Sequence, residues 1–427
     1  ITDLLEDAPT SITWLDKVAD LQPLSAGALK AEITSLLSRH EDSADAMRAV
    51  RYLRRREILR IAMGDALNLL SVQQVCTGLA TVDECTIGAA LALAEREEVK
   101  AGEHDEETAP QKSDAPQRDS QEAAGENPEE EQRNPLLTEI TVIAMGRLGG
   151  AENGFGSDAD VMFVHRPVEG ADEKEAQAQA NRIVNRLMQL IKQPVRPAIR
   201  AERPLEVDAD LRPEGKQGAL VRSLESYRAY YERWAETWEF QALLRARPIA
   251  GSEELGRAFI ELIDPYRYPR EFTAEQAQQV RRMKARVEHE RMPHGADRTR
   301  QLKLGRGGLS DVEWLVQLIQ LQHAHEVQGL RTTSTLEALN AAVEANLVAA
   351  EDAEVLRDAW LLATKIRGGN VLRGVRQSDL LPTLRDALEA VARWSGYTPG
   401  SARQLEEDYL RVTRNARKVY ERLFFEG

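Results

Sequence analysis

The first hundred residues carry a helical pattern of apolar positions. Apolar residues recur every three to four positions over residues 23–38 and again over 44–70, which is the spacing of one buried helix face. We therefore predict a helical region over residues 1–100. Within it, the run RYLRRREILR (residues 51–60) places five arginines on one helix. The pattern indicates a solvated helix surface with one ion pair to Glu57, and contact with phosphate or with another domain is the alternative.

The middle of the chain changes from a helical to an extended pattern. Residues 140–145 and 161–164 are short apolar runs bounded by turn residues, as buried strands are. A long helical pattern follows at 172–192, and a third extended stretch at 205–211. We predict a core over residues 135–221 that is built on a small mixed sheet.

The remaining residues, 222–427, have a helical pattern whose main interruption is the glycine-rich stretch 295–308. Aromatic residues follow helix spacing near its start: Tyr227, Tyr230, Tyr231, Trp234 and Trp238. Such a stripe is typical of core packing, and stacking on a nucleotide base is the alternative. The chain as a whole is predicted to be α+β, with a mixed sheet embedded in mainly helical domains.

The stretch between the first two regions has a different composition. Residues 101–134 contain no Val, Ile, Leu, Met, Phe, Tyr or Trp, but 11 acidic and 3 basic residues. Such a stretch has no apolar burial to offset the entropy lost on ordering. We predict an acidic disordered linker, with an acidic interaction tail as the alternative.

Charge and hydropathy exclude several classes of function. The chain of 427 residues has a formal net charge of −14 at pH 7, which disfavours a general attraction to nucleic acid or to an anionic membrane. No run approaches 18 consecutive apolar residues and no basic-then-apolar leader opens the chain, so neither a membrane span nor a signal peptide is predicted. We expect a cytoplasmic protein without nucleic-acid or membrane partners.

Two aspartates, Asp158 and Asp160, lie at the start of the second predicted strand. Side chains alternate along a strand, so both carboxylates project to one side, and they repel unless a cation lies between them. Mg²⁺ fits because it prefers carboxylate, phosphate and water oxygens. Gly156 and Ser157 directly precede the pair, where backbone N–H groups and a hydroxyl can approach a phosphate. A turn followed by a solvated strand is the alternative interpretation.

The third predicted strand supplies further acids, because Asp208 and Asp210 share one of its faces. If this strand pairs beside that of Asp160, a third carboxylate completes a site for two metal ions about 3.5–4 Å apart. Such a site serves phosphoryl-group transfer by positioning and charge. Other reaction classes fit badly, since the chain has no GxxxxGK[ST] loop, no GxSxG elbow and no histidines at zinc-ligand spacing.

Several segments of the chain resemble one known family. The run GRLGGAENGFGSDAD (residues 146–160) resembles the signature G-[KR]-x-G-G-x-E-x-x-x-x-S-D-x-D of the glutamine synthetase adenylyltransferases. These belong to the nucleotidyltransferase superfamily, with DNA polymerase beta and the uridylyltransferase of PII protein. EVDADLRPEG (206–215), WEFQALLRARPIAG (238–251) and KLGRGGLSDVEWLVQLIQLQHA (303–324) resemble further segments of the family. Together they cover nearly the whole chain apart from the linker.

The resemblance implies a polymerase-beta-like nucleotidyltransferase core and roles for particular residues. Asp158, Asp160 and Asp208 would bind two Mg²⁺ ions and carry the catalysis. Residues of the glycine-rich segments would bind the nucleotide: Gly146, Arg147, Gly149, Gly156 and Ser157. Asp210 stands where the family often has a basic residue, so the choice between Asp208 and Asp210 as third ligand stays open.

Two further acids, Asp311 and Glu313, match the family's D-[IV]-E pattern. Their spacing of two does not place them on one helix face. An active-site or regulatory role is open, and so is a structural role at a helix start after two glycines.

The resemblance also implies an activity: transfer of AMP from ATP to a tyrosine hydroxyl of glutamine synthetase, with release of pyrophosphate. Family members carry two nucleotidyltransferase halves, of which one attaches AMP and the other removes it. The GSDAD wording resembles the attaching, carboxy-terminal half of the actinobacterial type. The alternatives are the adenylyl-removing half and a non-catalytic module that binds nucleotide or PII. Expected partners are glutamine synthetase, the PII signal protein and the second half.

Overall fold

The structure, a computed structural model, describes residues 5–6, 8–108, 136–200, 202–374 and 379–426. Its first part consists of two short 3-10 helices followed by three α-helices: Pro9–Asp16, Val18–Leu21, α1 (Ala26–Arg39), α2 (Ser43–Ala66) and α3 (Val72–Thr108). These helices confirm the helical pattern predicted for this region.

Helix α3 continues into the predicted linker. It runs to Thr108, so the prediction of a disordered segment from residue 101 onward is wrong for residues 101–108. Elongating an anchored helix is far easier than starting one, and Ala and Glu are good helix formers. Residues 109–134 of the predicted linker lie outside the described residues.

Among the described residues, α3 is also the helix whose length and hydropathy would allow a membrane span. An 18-residue window within Val72–Gly102 has a mean hydropathy of 1.3, and 72% of that window is buried inside the protein. Its apolar side chains, including Leu79 and Ile87, pack in the same cluster as the sheet. Burial of this kind is expected of a core helix.

Five strands form one mixed sheet: β1 (Thr138–Ala144), β2 (Ala159–Pro167), β3 (Val207–Asp208), β4 (Val221–Ser223) and β5 (Arg247–Gly251). The order is β3, β2, β1, β5, and β4 also pairs with β2. β1 is antiparallel to β2 and β5, whereas β2 is parallel to β3 and β4. The one-turn helix α4 (Gly146–Gly149) follows β1, and α5 (Glu173–Lys192) makes the crossover that parallel strands require.

Both faces of the sheet are covered, which explains the continuous apolar run of β2. Val161 and Phe163 pack in one cluster with residues of α3 and α5. Met162 and Val164 pack on the opposite face, with Tyr227 and its neighbours. The two faces therefore alternate residue by residue along the strand, and the site residues at its start are held between two cores.

The second half of the chain is mainly helical: α6 (Leu224–Arg233), α7 (Thr237–Leu243), α8 (Glu253–Arg267), α9 (Ala274–Arg291), α10 (Leu309–His323), α11 (Thr335–Glu344), α12 (Ala350–Leu372), α13 (Arg385–Trp394) and α14 (Ala402–Phe425). The glycine-rich stretch 295–308 lies between α9 and α10, as predicted. The mixed sheet within these helices confirms the α+β fold class.

Strand β5 lies within the stretch that was predicted to be helical throughout, and that prediction is wrong there. Pro248 removes an N–H group that a helix would need. In β5 it lies opposite Ile143 at a break in the register, on the edge of the sheet. An edge position tolerates the missing N–H group.

The aromatic stripe is only partly in the core. Tyr227 and Tyr231 are buried, with 0% and 4% exposure, which confirms core packing for this part of α6. Trp234 is 72% exposed, because α6 ends at Arg233 and the chain turns before α7.

The arginines of residues 51–60 are not a solvated surface, contrary to the prediction. Arg51 and Arg54 are buried, with 4% and 8% exposure. Arg51 Nε donates to Glu202 Oε1 at 2.5 Å, and Arg54 Nε donates to Asp83 Oδ1 at 2.8 Å. Their guanidinium groups thus join α2 to α3 and to the segment before β3, which agrees with the alternative of contact with another region.

Candidate active site

The start of β2 lies beside the start of β3, and this pairing gathers the acidic residues. The parallel register sets Asp160 opposite Asp208. Ala159, the first residue of β2, is buried in the core and its N–H group donates to Glu206 O at 2.8 Å. Asp158, which directly precedes the strand, is exposed, and Asp160 is half-buried. The pairing therefore sets Asp160 beside Asp208 at one edge of the sheet, with Asp158 two residues before Asp160.

Burial and like charge raise the pKa values of two of these acids. Burial, and then the charge of Asp208, raise the pKa of Asp160 to about 6. Burial, together with the charges of Glu206 and Asp208, raises the pKa of Asp158. A cation that lies among the carboxylates would relieve this repulsion.

Asp210 does not share the face of Asp208, contrary to the prediction from strand alternation. The strand ends at Asp208, whose Oδ1 accepts a hydrogen bond from the N–H group of Asp210 at 2.7 Å. This local bond is an Asx turn, which competes with a continued strand. The carboxylate of Asp210 instead approaches Lys216 at 3.2 Å and Arg212 at 3.7 Å, and its side chain is 40% exposed.

The glycine-rich turn after β1 lies directly against Asp160. The N–H group of Met145 donates to Asp160 O at 2.8 Å. Gly146 has a φ of +52°, and a Cβ atom there would lie 2.2 Å from Asp160 Oδ2. Any side chain at this position would displace the carboxylate, so the glycine is required by the site. Gly149 has a packing role instead, since its Cβ would lie 1.7 Å from Arg245 O.

Gly156 and Ser157 form a tight turn ahead of the carboxylates. Gly156 has a φ of +69°, a conformation that glycine adopts without strain. Ser157 Oγ accepts a hydrogen bond from the N–H group of Gly154 at 2.9 Å, and its own N–H group donates to Gly154 O at 3.1 Å. The hydroxyl keeps its hydrogen free to donate, which suits contact with a phosphate.

The loop between these two glycine turns is held by buried polar contacts from both helical regions. Asn153 Nδ2 donates to Asp83 Oδ2 at 2.9 Å, and the other oxygen of that carboxylate accepts from Arg54. Glu152 accepts from Arg245 Nη1 and from Thr335 Oγ1, both at 2.9 Å. We refer to these two sets of contacts as the loop clamp.

The clamp was missed by the sequence analysis, although Glu152 and Asn153 lie inside the family signature. Their exposures of 4% and 0% follow from partners that are distant in sequence. The sequence offers only a weak sign of them, two consecutive polar residues within a glycine-rich loop.

Arg147 and the D-[IV]-E acids separate into different roles. Arg147 Nε donates to Glu152 O at 2.8 Å, and its guanidinium lies 3.7 Å from Glu313. Asp311 is fully buried and binds Lys284 at 2.7 Å and Arg417 at 3.0 Å. Asp311 therefore has a structural role at the start of α10, as in one of the two interpretations, whereas Glu313 borders the glycine-rich turn.

A cavity of about 990 Å³ is lined mainly by the later helices. Its walls come from α7, α9 and α10, and include Trp238, Lys303 and Trp314. On the sheet side it reaches Leu211, three residues beyond Asp208. Glu313, which also lines it, lies 3.7 Å from Arg147, so the cavity borders the glycine-rich turn after β1.

The fit of a divalent cation can be judged from these donors. In the ranges that the structure describes, no three His, Cys, Asp or Glu side chains already converge into a metal centre. The oxygen donors of Asp158, Asp160 and Asp208 are hard ligands of the kind that Mg²⁺ prefers. Their crowding and the raised pKa of Asp160 suit a cation that a ligand's phosphates would help to hold.

Comparison with protein families gives two matches along the chain. The model of glutamate-ammonia ligase adenylyltransferase matches residues 1–118 and 113–262. The model of GlnD PII-uridylyltransferase matches residues 281–424. The first match contains Asp158, Asp160 and Asp208, to which we refer as the acidic cluster. The second contains the glycine-rich loop before α10.

Several curated proteins are similar to the chain over nearly its whole length. Each is named bifunctional glutamine synthetase adenylyltransferase/adenylyl-removing enzyme. The protein of Nocardia farcinica is 44% identical over 99% of this chain and 39% of its own length. Those of Corynebacterium glutamicum and Streptomyces avermitilis are also 44% identical, over 100% and 99% of this chain and 38% and 40% of their own lengths.

The chain therefore spans about two fifths of the length of these relatives. Since the family model matches more than half of the chain, the chain belongs to the glutamate-ammonia ligase adenylyltransferase family.

Proposed function

We propose that this chain transfers AMP from ATP to a tyrosine hydroxyl of glutamine synthetase and releases pyrophosphate. The observation that carries the proposal is the acidic cluster of Asp158, Asp160 and Asp208 beside the turn of Gly156 and Ser157. Membership of the adenylyltransferase family supports the substrate and the acceptor. The names of the relatives support glutamine synthetase as the protein acted on.

The chain's own residues would hold and orient the reactants. Ser157 Oγ would donate to the phosphate that leaves as pyrophosphate. Asp158, Asp160 and Asp208 would hold two Mg²⁺ ions, which would neutralise phosphate charge and lower the pKa of the attacking hydroxyl. The tyrosine oxygen would attack the α-phosphorus, and the bond from that phosphorus to the bridging oxygen of pyrophosphate would break. Helices around the cavity would exclude water from this step.

The reverse assignment is a second candidate, because the relatives are named for both activities. In the adenylyl-removing reaction, phosphate attacks the phosphorus of the tyrosine adenylate and ADP leaves. The same carboxylates would serve it. The GSDAD wording of residues 156–160 favours the attaching half.

PII protein and the other nucleotidyltransferase half are proposed as further partners. The match of residues 281–424 to the PII-uridylyltransferase model supports PII. The share of the relatives that the chain covers supports the second half. A catalytically inactive binding module is less well supported, since the three carboxylates are all present.

One experiment tests the proposal and its direction. The chain is incubated with glutamine synthetase and ATP labelled in the adenosine moiety, with Mg²⁺ or with a chelator. We expect Mg²⁺-dependent label on glutamine synthetase and release of pyrophosphate. In a parallel reaction with adenylylated glutamine synthetase and phosphate, rapid formation of ADP would assign the removing half. A chain that is inactive in both reactions would leave only the binding module.

A further inference from the structure

Lys303 lies in the loop before α10, outside the sheet, and its backbone is fixed by hydrogen bonds. The N–H group of Ser310 donates to Lys303 O at 2.9 Å, and that of Leu302 donates to Asp379 O at 2.6 Å. The loop is also tightly packed two residues further on, because a Cβ atom on Gly305 would lie 2.0 Å from Gln301 O. The backbone of Lys303 is therefore held by contacts on both sides.

The side chain of Lys303, in contrast, is exposed and forms no ion pair in the part of the chain that the structure describes. Two other lysines have carboxylate partners: Lys284 binds Asp311 at 2.7 Å, and Lys216 binds Asp210 at 3.2 Å. Lys303 instead lines the cavity of about 990 Å³, together with Glu313. Glu313 lies 3.7 Å from Arg147, the residue after Gly146, and a Cβ atom on Gly146 would lie 2.2 Å from Asp160 Oδ2. The ammonium therefore lines a cavity that borders the site, and its charge also opposes the rise in the pKa of both Asp158 and Asp160.

We propose that Lys303 binds the polyphosphate of a nucleoside triphosphate that occupies this cavity. The inference rests on the proposed function, and it adds a binding residue from the helical half of the chain. A lysine ammonium is a compact charge with three donors, which suits phosphate oxygens. The cavity has the volume of a small-molecule site, typically about 300–1,000 Å³.

Two partners are conceivable for the ammonium of Lys303: the carboxylates of the acidic cluster, and the phosphates of a ligand bound in the cavity. The charge of the ligand favours the second. The ammonium is close enough to influence two carboxylates, but it forms no ion pair with either. Once a cation lies among those carboxylates, their attraction for the lysine falls, and an anionic polyphosphate is the remaining partner. Trp238 and Trp314, at other points of the cavity wall, offer flat apolar surface to the nucleoside.

The test measures nucleotide binding rather than turnover. Lys303→Met and the matched control Arg306→Met, an exposed cation of the same loop outside the cavity lining, are compared with the wild-type chain by titration calorimetry. ATP and AMP are each titrated with Mg²⁺ at one ionic strength. We expect Lys303→Met to weaken ATP binding by about tenfold or more, to leave AMP binding within about twofold, and Arg306→Met to match the wild type.

Unchanged ATP affinity in Lys303→Met would overturn the assignment, and so would an equal loss for ATP and AMP. Partial recovery of ATP binding in Lys303→Arg would support it, since the positive charge is restored. A wild-type chain that binds neither nucleotide would overturn the proposed function itself. Unfolding midpoints of the variants should match that of the wild type because both side chains are exposed.

Discussion

At the scale of single residues, the site is a compromise between charge and burial. Asp160 lies against the backbone of Gly146 and opposite Asp208, and its pKa is raised to about 6. Such a carboxylate destabilises the fold at neutral pH, because the unfolded chain ionises it near a pKa of about 3.9. The protonated form of Asp160 contributes to the free energy of unfolding below a pH of about 3.9. This contribution is lost as the pH rises from there toward the folded pKa of about 6.

We predict that Asp160→Asn abolishes AMP transfer and does not lower the unfolding midpoint in the presence of a chelator. At pH 7 the midpoint should exceed that of the wild type by about 1–2 °C, because a repelled buried charge has been removed. At pH 4 the difference should disappear. Thermal unfolding followed by circular dichroism at both pH values measures this. A variant with a third of wild-type transfer would remove Asp160 from the mechanism.

A second prediction separates the two candidates for the third carboxylate. Asp208 lies opposite Asp160 in the sheet, whereas Asp210 is turned toward Lys216 and Arg212. Asp208→Ala should therefore reduce AMP transfer by several orders of magnitude at saturating ATP. Asp210→Ala should change it less than about tenfold, or about 1.4 kcal/mol of barrier. Equal losses, or the reverse order, would show that the third ligand is misassigned.

At the scale of elements, the sequence predicts what depends on local pattern and misses what depends on distant partners. Strands β1 and β2 and helix α5 follow from apolar periodicity, and the pair Asp158 and Asp160 follows from its spacing at the start of β2. The burial of Arg54 depends on Asp83, 29 residues away, and that of Arg245 on Glu152, 93 residues away. The periodicity of apolar residues does not predict ion pairs between residues that are so far apart in the sequence. The turn at Asp210 was missed because the strand ends where the N–H group of Asp210 donates a hydrogen bond to the side chain of Asp208.

The loop clamp leads to a third prediction. Glu152→Ala leaves Arg245 buried without its carboxylate, and removing one partner of a buried pair costs about 3–5 kcal/mol. Arg403→Ala, which removes a pair whose side chains are 89% and 62% exposed, should cost less than about 0.5 kcal/mol. Urea unfolding of both variants measures the difference. Similar costs for the two variants would show that the clamp does not stabilise the fold.

At the scale of the whole molecule, the sheet and its helices belong to a continuous set of cores. One apolar cluster contains residues of α1, α2, α3, α5 and the sheet, and another joins the sheet to α6 and α8. A third cluster holds most of the later helices. The acidic segment after α3, residues 109–134, contains no Val, Ile, Leu, Met, Phe, Tyr or Trp.

A fourth prediction concerns that segment. Replacing residues 109–134 with a Gly/Ser sequence of equal length should leave both the unfolding midpoint and basal AMP transfer unchanged, because the segment has no large apolar side chain to contribute to a core. Transfer to glutamine synthetase and thermal unfolding are measured side by side. If transfer falls while the midpoint stays constant, the segment acts as an acidic interaction tail. If soluble expression is lost, the segment is part of the fold.

The loop clamp also has a consequence for how the chain can be divided. The loop that carries Glu152 and Asn153 reaches its geometry only when Asp83 of α3 and Arg245 and Thr335 of the later part of the chain are all docked. Neither helical region is sufficient alone, and loss of either one leaves a buried polar group of the loop without its partner. The sheet and its loop should therefore not fold correctly as an isolated fragment. The site needs both flanking regions at once, and either one alone is insufficient.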